Sequence, residues 1–347
     1  MCLAYAQNES AIAGETVMDI NSLINDIAGL VSHPFFFLFH SVQRIYVLYL
    51  VSALVLAFWI YISARRPAAA NDQSFLQFCF PKSVYWHPSA IVDYKYFFIN
   101  KIAFALFIGT LMLSSTVIAA GIQTVLTTFF PGMTGFNITS TLAVGIALTL
   151  LVVVVQDFGV FLAHYLMHKV PLLWEFHKVH HSAQTLTPMT VYRMHPVDDI
   201  LTGLISGLGM GLVYGVFAFL FSGAAQEIKI LHLNAVVFVF YLAGYNLRHS
   251  HIWLPLTGFW GTLFISPAHH QIHHSSEMRH TDKNMGLIFG VWDWMFGTLY
   301  IPEHKEEFRF GLHHQEDEEY QTVSALYFLP FKKAIALVRR PELDPQT

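Results

Sequence analysis

The chain has 347 residues, of which 54% are hydrophobic and only 12% are charged, and its mean hydropathy is +0.48. A soluble domain carries about a quarter charged residues, so this balance indicates a membrane protein. The net charge of −4 and the lack of a basic stripe argue against a nucleic-acid partner. The two cysteines, Cys2 and Cys79, support neither a disulfide framework nor a cysteine-rich zinc site.

The N-terminal segment, residues 1–44, has no lysine or arginine before Arg44, which is unlike a secretory signal with its basic start. Apolar residues recur at helical spacing between Ile20 and Val31. This pattern predicts either an amphipathic helix lying at the membrane interface or a loosely packed N-terminal helix.

Hydrophobic spans follow at residues 45–62, 102–126 and 142–162, and a hydrophobic pair covers residues 200–222 and 230–245. They predict an all-α integral membrane protein, a bundle of about four to five transmembrane or re-entrant helices. We divide the chain accordingly. Residues 45–140 form the first two spans with their connecting loop, 141–300 form the catalytic domain, and 301–347 form a polar C-terminal tail. The charge run Glu303–Glu319 in that tail is expected to be solvated.

Basic residues predict the orientation of the spans, because cytoplasmic loops are enriched in lysine and arginine. The loop between the first two spans contains Arg65, Arg66, Lys82, Lys95 and Lys101, whereas residues 127–140 contain none. Counting crossings from a cytoplasmic loop at 65–101 brings the third span back to the cytoplasmic side. Every histidine cluster then lies in a histidine-rich helical cap on that side.

The histidines are the strongest chemical signal in this sequence. His164 and His168 are four residues apart at the end of the third span, and two HxxHH elements follow, His177-x2-His180-His181 and His270-x2-His273-His274. Neutral imidazole is a ligand for iron, zinc, copper and nickel. A catalytic zinc uses about three protein ligands, so eight histidines indicate two metal ions.

The order and spacing of these three boxes resemble the fatty acid hydroxylase and sterol desaturase superfamily of membrane non-haem di-iron enzymes, in a bacterial-type member. The flanking segments Asn284-Met-Gly286 and Trp292-Asp-Trp-Met-Phe-Gly-Thr298 are similar to the C-terminal signature of that family. The resemblance covers about residues 150–300. It implies a helical membrane domain with a fatty acid hydroxylase-like catalytic site, two iron ions, and oxygen-dependent attack on an unactivated C–H bond.

The resemblance also implies the metal ligands. Carried over by position, they are His164, His168, His177, His180, His181, His270, His273 and His274, with His249 added because it follows the last hydrophobic pair. His251 is either a tenth ligand or a hydrogen-bond donor beside the ligands. No catalytic residue beyond the metal ligands is predicted.

Ligand histidines usually bind a hydrogen-bond partner through the second ring nitrogen. The candidates for this supporting role are His195, Asp198, Asp199 and Asp282. The alternative for Asp198 and Asp199 is that they cap the helix that begins near Ile200.

The predicted function is that of a membrane-bound di-iron oxygenase that hydroxylates or desaturates a lipid, such as a sterol or a fatty acyl lipid. It would use O2 and electrons from a separate ferredoxin, rubredoxin or cytochrome. We expect it in the bacterial inner membrane with the histidine site on the cytoplasmic side, or in the endoplasmic reticulum membrane if the source is eukaryotic.

Two other classes of function are weighed against this prediction. A metal-dependent (zinc) membrane hydrolase would place a carboxylate in the first box, as in HExxH, but Tyr165 follows His164 and Lys169 follows His168. A transporter or metal sensor would carry charged residues along its spans, and these spans are nearly free of them.

Overall fold

The structure is a computed structural model that describes residues 35–64, 73–103, 114–133, 141–221 and 226–339. Within these ranges the chain is mostly helical, as predicted, and its strands are limited to one hairpin of two-residue strands. The N-terminal helix predicted near residues 20–31 lies outside the described residues.

The first half of the chain contains α1 (Val47–Ala64), α2 (Phe75–Cys79), α3 (Lys82–Tyr85), α4 (Pro88–Ala103), α5 (Ser115–Phe129), α6 (Thr141–Lys169) and α7 (Pro171–His181). The second half contains α8 (Pro196–Phe221), β1 (Lys229–Ile230), β2 (Leu233–Asn234), α9 (Ala235–Leu242), α10 (Gly258–Leu263), α11 (Pro267–His273), α12 (Val291–Phe296) and α13 (Val323–Arg339). Short 3-10 helices lie at Pro131–Met133, Pro188–Tyr192, Tyr245–Leu247, Met278–His280 and His313–Tyr320.

Two of the described helices, α6 and α8, are long and apolar enough to cross a membrane, and α1 and α5 are shorter apolar helices. A helix the length of α6 extends about 43 Å at 1.5 Å per residue, against a hydrocarbon core of about 30 Å. Large apolar side chains such as Val55, Leu142 and Leu208 remain exposed on these helices. Exposed apolar surface of this extent is expected where lipid, not water, surrounds the helices.

Small residues allow α8 to pack closely against both α5 and α6. A Cβ atom added to Gly159 of α6 would lie 2.7 Å from the Cα of Ser206 in α8. On the other face of α8, a Cβ added to Gly211 would lie 2.6 Å from the Cβ of Ile118 in α5. The glycines of α8 therefore serve close helix packing, which is the usual role of small residues in membrane helices.

The predicted second span, residues 102–126, is wrong as a single helix. The described part of α4 reaches Ala103, and α5 begins at Ser115. Ser114 has extended backbone dihedrals, and its side chain accepts a hydrogen bond from Thr116 N, which makes it the N-cap of a new helix. Hydrophobicity continues across this point, so composition alone does not locate the break.

The hydrophobic stretch 230–245, predicted as part of a pair of transmembrane or re-entrant segments, contains no described helix long enough to cross a membrane. This stretch forms β2 and then α9, whose eight residues extend only about 12 Å. Asn234 caps α9, and its side chain accepts hydrogen bonds from Val236 N and Val237 N. Three aromatic residues of α9 and its surroundings, Phe238, Tyr241 and Tyr245, are buried in the protein core with Tyr49 of α1. Their hydrophobicity reflects packing inside the protein.

The C-terminal segment is not a solvated tail in its described part. Leu326, Pro330 and Ala334 are spaced four residues apart along α13 and are buried, because the stripe they form packs toward α7. Asp317 and Tyr320, which lie just before α13, are fully buried as well. Charged residues of the run such as Glu307 and Glu318 are exposed, but Asp317 in the same run is buried, so the segment is packed against the protein.

We predict that Gly159→Ala lowers the free energy of unfolding by about 1–3 kcal/mol, because the added methyl group overlaps the backbone of α8. The matched control is Gly121→Ala in α5, where nothing lies within 4 Å of the added Cβ. It should be neutral or stabilising by up to about 1 kcal/mol. Thermal unfolding of the detergent-solubilised chain, followed by circular dichroism, measures both effects. Equal midpoints for the two variants would show that the helices are not in close contact here.

Candidate metal centre

The structure gathers the nine predicted histidines into two adjacent groups. The first group is His164, His168, His177, His181 and His273, and the second is His180, His249, His270 and His274. Each residue offers one ring nitrogen, and within each group these atoms all lie within 4.8 Å of one another. Among the described residues, neither group includes a cysteine or a carboxylate.

The first group forms where α6 ends and the chain folds back as α7. Pro171 occupies the first turn of α7, where its missing N–H costs nothing, and it prevents α6 from continuing. The reversal brings the two helices side by side. The ring of His164 then lies 4.7 Å from that of His177, and the ring of His168 lies 4.9 Å from that of His181, measured between centroids.

Each HxxHH element contributes to both groups because residues four apart share one face of a helix. In α7, His177 and His181 form the i, i+4 pair and join the first group, while His180 points to the second. In α11 the arrangement is reversed, because His270 and His274 are the pair and join the second group. The remaining histidine of that box, His273, joins the first group. Each of the two helices therefore contributes histidines to both groups.

Four histidines of the first group present a ring nitrogen that the protein does not satisfy. The Nε2 atoms of His164, His177, His181 and His273 are buried and make no hydrogen bond within the described part of the chain. A buried polar atom left without a partner costs about 1–3 kcal/mol. A cation bound among these nitrogens would satisfy all of them at once, so the first group fits a metal ion.

The second group shows the spacing that ligands of one ion adopt. Its Nε2 atoms are separated by 3.0 Å between His249 and His270, 3.2 Å between His270 and His274, and 3.4 Å between His180 and His249. Nitrogens at about 2.1 Å from a common metal ion, at angles of 90–110°, lie roughly 3.0–3.4 Å apart. The second group therefore also fits a metal ion.

Burial keeps these imidazoles neutral, which is the form that binds metals. Desolvation lowers the pKa of His177 to about 3. It also lowers the pKa of His180 and His181 well below the usual range, and neighbouring imidazoles add to this effect. The protein thus holds a set of ligands that does not need to release protons before a cation binds at neutral pH.

Backbone carbonyl groups orient two of the rings from the other side. The Nδ1 of His164 donates a hydrogen bond to Met285 O at 2.7 Å, and the Nδ1 of His273 donates to Lys283 O at 2.8 Å. With Nδ1 as the donor, Nε2 carries the lone pair and faces inward. One loop, residues 283–285, therefore fixes the tautomer of histidines from two different helices.

Two carboxylates perform the same task for two other rings. The Nδ1 of His168 lies 3.2 Å from Asp282 Oδ1, and the Nδ1 of His177 lies 3.2 Å from Asp198 Oδ2. Asp198 is fully buried, while the side chain of Asp282 is 20% exposed and also pairs with Lys169. Asp198 and Asp282 are the two supporting candidates that the structure places against the histidines.

The C-terminal signature segment holds the supporting loop in place. Asp293 of α12 is fully buried and accepts hydrogen bonds from Met285 N and Gly286 N, both at 2.8 Å, and from Thr298 Oγ1 at 2.6 Å. It therefore fixes the peptide whose carbonyl group meets His164. Met285, Gly286, Asp293 and Thr298 are the signature residues that take part in this network.

Sequence reasoning missed Asp157, a buried carboxylate of α6. It accepts hydrogen bonds from Ile288 N at 2.8 Å, Phe289 N at 3.1 Å and Trp292 Nε1 at 2.9 Å, which ties the signature segment to the span. A signal was available, because a carboxylate inside an apolar span is costly and usually functional. Asp157 precedes His164 by seven residues, so it lies two turns back on the same side of the helix.

Three other predicted residues lie away from the two groups. The Nε2 of His251 donates to Phe78 O at 2.7 Å, and the Nε2 of His195 donates to Tyr327 O at 3.2 Å. Asp199 interacts electrostatically with Lys101 and Arg44. None of the three contacts the nine histidines within the described chain, so His251 is not placed as a ligand, nor His195 and Asp199 as supports.

These features define a class of helical proteins with membrane-span candidates and a paired, buried polyhistidine site. Residues 149–298 match the family model described as Fatty acid hydroxylase, a range that falls within the predicted catalytic domain. This match covers less than half of the chain, and it supports the resemblance of these residues to the fatty acid hydroxylase and sterol desaturase superfamily.

Several curated proteins are similar to this chain. An alkylglycerol monooxygenase of Caenorhabditis elegans is 27% identical over 158 residues, 45% of this chain and 28% of that protein. The ornithine lipid hydroxylase OlsE of Rhizobium tropici is 27% identical over 162 residues, 46% of this chain and 44% of that protein. A cholesterol 25-hydroxylase-like protein of Danio rerio is 31% identical over 148 residues, 42% of this chain and 52% of that protein. The chain thus spans about half or less of these relatives. No solved structure matches it significantly.

We predict that Asp293→Ala lowers the free energy of unfolding by about 3 kcal/mol, because it leaves two buried N–H groups without an acceptor and leaves the Thr298 hydroxyl group only its long contact with the carbonyl oxygen of residue 293, at 3.4 Å. Chemical or thermal unfolding in detergent measures this loss. The matched control is Trp294→Ala, the next residue of the same helix, whose side chain is 65% exposed. If both variants have the same free energy of unfolding as the wild type, the network does not stabilise the signature segment.

Proposed function

We propose that this protein is a membrane-bound non-haem di-iron oxygenase that hydroxylates or desaturates a lipid. The observation that carries the proposal is the pair of adjacent, buried groups of five and four histidines. Each group has ring nitrogens directed at a common point, and the family relationship of residues 149–298 supports iron as the metal. The histidines named in the two groups would be the ligands.

The all-histidine composition of both groups bears on the alternative reaction. A zinc hydrolase needs a carboxylate that acts as general base toward a metal-bound water. Within the described residues, the nearest carboxylates, Asp198 and Asp282, contact the outer Nδ1 atoms of the histidines, so they orient ligands and do not face the metal positions. This arrangement, together with relatives that are monooxygenases and hydroxylases, disfavours hydrolysis.

Iron bound in the two groups would supply the activation of dioxygen, with electrons from a separate carrier. Hydroxylation would then consume one O2, two electrons and two protons, insert one oxygen atom into a C–H bond, and release one water. The contribution of the chain is to hold neutral imidazoles in fixed tautomers and to keep water out. Eight of the nine histidines are buried, which achieves that exclusion.

The location of the site favours a substrate that is already in the membrane. His164 is carried by α6, which is a membrane-span candidate, and it is the one partly exposed histidine of the nine. A lipid entering sideways would therefore approach the metals beside His164. The names of the relatives refer to alkylglycerol, ornithine lipid and cholesterol, so we propose an amphiphilic lipid of that breadth, including sterols and fatty acyl lipids.

The sidedness of the enzyme rests on the basic residues of the loop between the first two apolar segments. Lysines and arginines between residues 65 and 101 favour the cytoplasmic side for that loop, and we propose the same side for the histidine groups. There a soluble ferredoxin, rubredoxin or cytochrome could deliver electrons. The proposed location is the bacterial inner membrane, or the endoplasmic reticulum membrane in a eukaryote.

The metal content of a matched pair of variants tests the ligand set. We predict that His249→Ala lowers bound iron from about two ions per chain to about one, because it removes one of four nitrogens of the second group. His251→Ala, two residues away, should retain both ions because its ring faces Phe78. Elemental analysis of chains purified from iron-replete cells measures this. Loss of iron in both variants, or in neither, contradicts the assignment.

The reaction itself is tested by lipid mass spectrometry of a host that expresses the chain under ¹⁸O2. We predict that one lipid class gains a single labelled oxygen atom, or loses two hydrogen atoms, and that His273→Ala abolishes the change while His251→Ala preserves it. His273 offers a nitrogen to the first group, whereas His251 lies outside both. A product whose new oxygen comes from water would support hydrolysis and overturn the proposal.

A further inference from the structure

A buried arginine, Arg193, forms hydrogen bonds with the end of α7, the helix that carries the second histidine box. Arg193 is fully buried, and its Nε donates to Val179 O at 3.0 Å while its Nη2 donates to Ser182 Oγ at 2.9 Å. These two partners flank His180 and His181 at the C-terminal end of α7. Carbonyl groups there lack helical partners and carry a partial negative charge, so a guanidinium group is well suited to bind them.

The main chain of the same arginine also holds one of the metal-site rings. The Nδ1 of His180 donates to Arg193 O at 3.3 Å. Arg193 therefore acts on His180 in two ways. Its side chain binds the end of the helix that carries His180, and its carbonyl oxygen accepts a hydrogen bond from the His180 ring. His180 belongs to the second group, where its Nε2 lies 3.4 Å from that of His249.

The charge of Arg193 is balanced by a residue outside the fatty acid hydroxylase domain. Its Nη1 donates to Asp93 Oδ1 at 2.7 Å, and Asp93 in α4 is 1% exposed. The other carboxylate oxygen of Asp93 accepts from Thr190 Oγ1 at 2.7 Å. A buried arginine without its counter-ion would be strongly unfavourable. The hydrogen bonds of Arg193 to the end of α7 therefore depend on Asp93.

A second segment outside the domain completes the set of partners. The Nη2 of Arg193 also donates to Tyr320 O at 2.9 Å, just before α13. Residues 93 and 320 both lie outside the matched range 149–298. The end of α7 is thus fixed from three directions, by α4, by the C-terminal segment, and by the loop that carries Arg193 itself.

We propose that Arg193 and Asp93 are positioning residues of the second metal group. They set the place and the tautomer of His180, so that metal binding there depends on α4 and on the C-terminal segment as well as on the histidine boxes. This inference rests on the proposed metal centre, but it does not depend on the reaction catalysed.

The test is an equilibrium titration of metal-free full-length chain in detergent with ferrous iron. For Asp93→Asn, we expect affinity for one of the two equivalents to fall about ten- to hundredfold, as is typical when a partner of a ligand is lost, while the other stays unchanged. Arg193→Lys should act in the same direction, because lysine keeps the charge but lacks the planar set of donors. The Mössbauer signal of the remaining iron should match that of one wild-type site.

The matched control is Asp317→Asn. Asp317 is a fully buried carboxylate, like Asp93, and it accepts from Arg309 Nη2 and from Gln184 Nε2, although the Arg309 side chain is 44% exposed. It contacts neither Val179 nor Ser182 in the described structure. The control should lower the unfolding temperature without changing either iron affinity.

Two outcomes would overturn the inference. One is wild-type affinity for both equivalents in Asp93→Asn, and the other is the same selective loss of one equivalent in Asp317→Asn. If Asp93→Asn does not fold, Ser182→Ala replaces it, because it removes one acceptor of the guanidinium group and should give a smaller, selective loss. A wild-type chain that binds no iron would instead refute the proposed function on which the inference rests.

Discussion

The structure depends on one constraint, the gathering of nine imidazole rings, eight of them buried, into two adjacent groups. The two nitrogens of a ring have different roles, one facing the inside of its group and the other facing outward. In the first group the Nε2 atoms face a common point, while Nδ1 atoms such as those of His164 and His273 donate outward to carbonyl oxygens. Without a cation such a cluster leaves buried polar atoms without partners, so it is unfavourable for the apoprotein. The surrounding protein must be rigid enough to maintain it.

The histidine boxes were predictable because the residue type indicates metal binding and the short spacing along the chain places the rings on one face of a helix. HxxxH and HxxHH place imidazoles on shared helix faces, and residues four apart meet without any knowledge of the tertiary fold. The structure brings together all eight box histidines and His249. His251 lies outside both groups. Spacing could not have separated it from His249, because both residues follow the 3-10 turn Tyr245–Leu247 in a loop without helical periodicity.

The parts that sequence reasoning missed share a different cause. Residues 230–245 are as apolar as a membrane span, yet Phe238, Tyr241 and Tyr245 among them are buried by the protein itself. Composition does not distinguish burial in protein from burial in lipid. The charge run before α13 looked solvated, although Asp317 within it is fully buried. Arg193 and Asp93 are a hundred residues apart, so only tertiary structure reveals their pairing. Interactions over long separations in sequence leave no local pattern.

These long-range charges act mainly on backbone groups. Arg248 is buried and donates to Leu287 O at 2.9 Å and to Gly286 O at 3.1 Å, in the same loop that Asp157 and Asp293 bind through N–H groups. The loop needs such anchors because residues 281–290 contain neither helix nor strand. Asn284 within it has a φ of +57°, a left-handed conformation that costs roughly 1 kcal/mol outside glycine. Buried side chains that bind the main chain offset this cost, and they give an irregular segment the rigidity to orient the histidines.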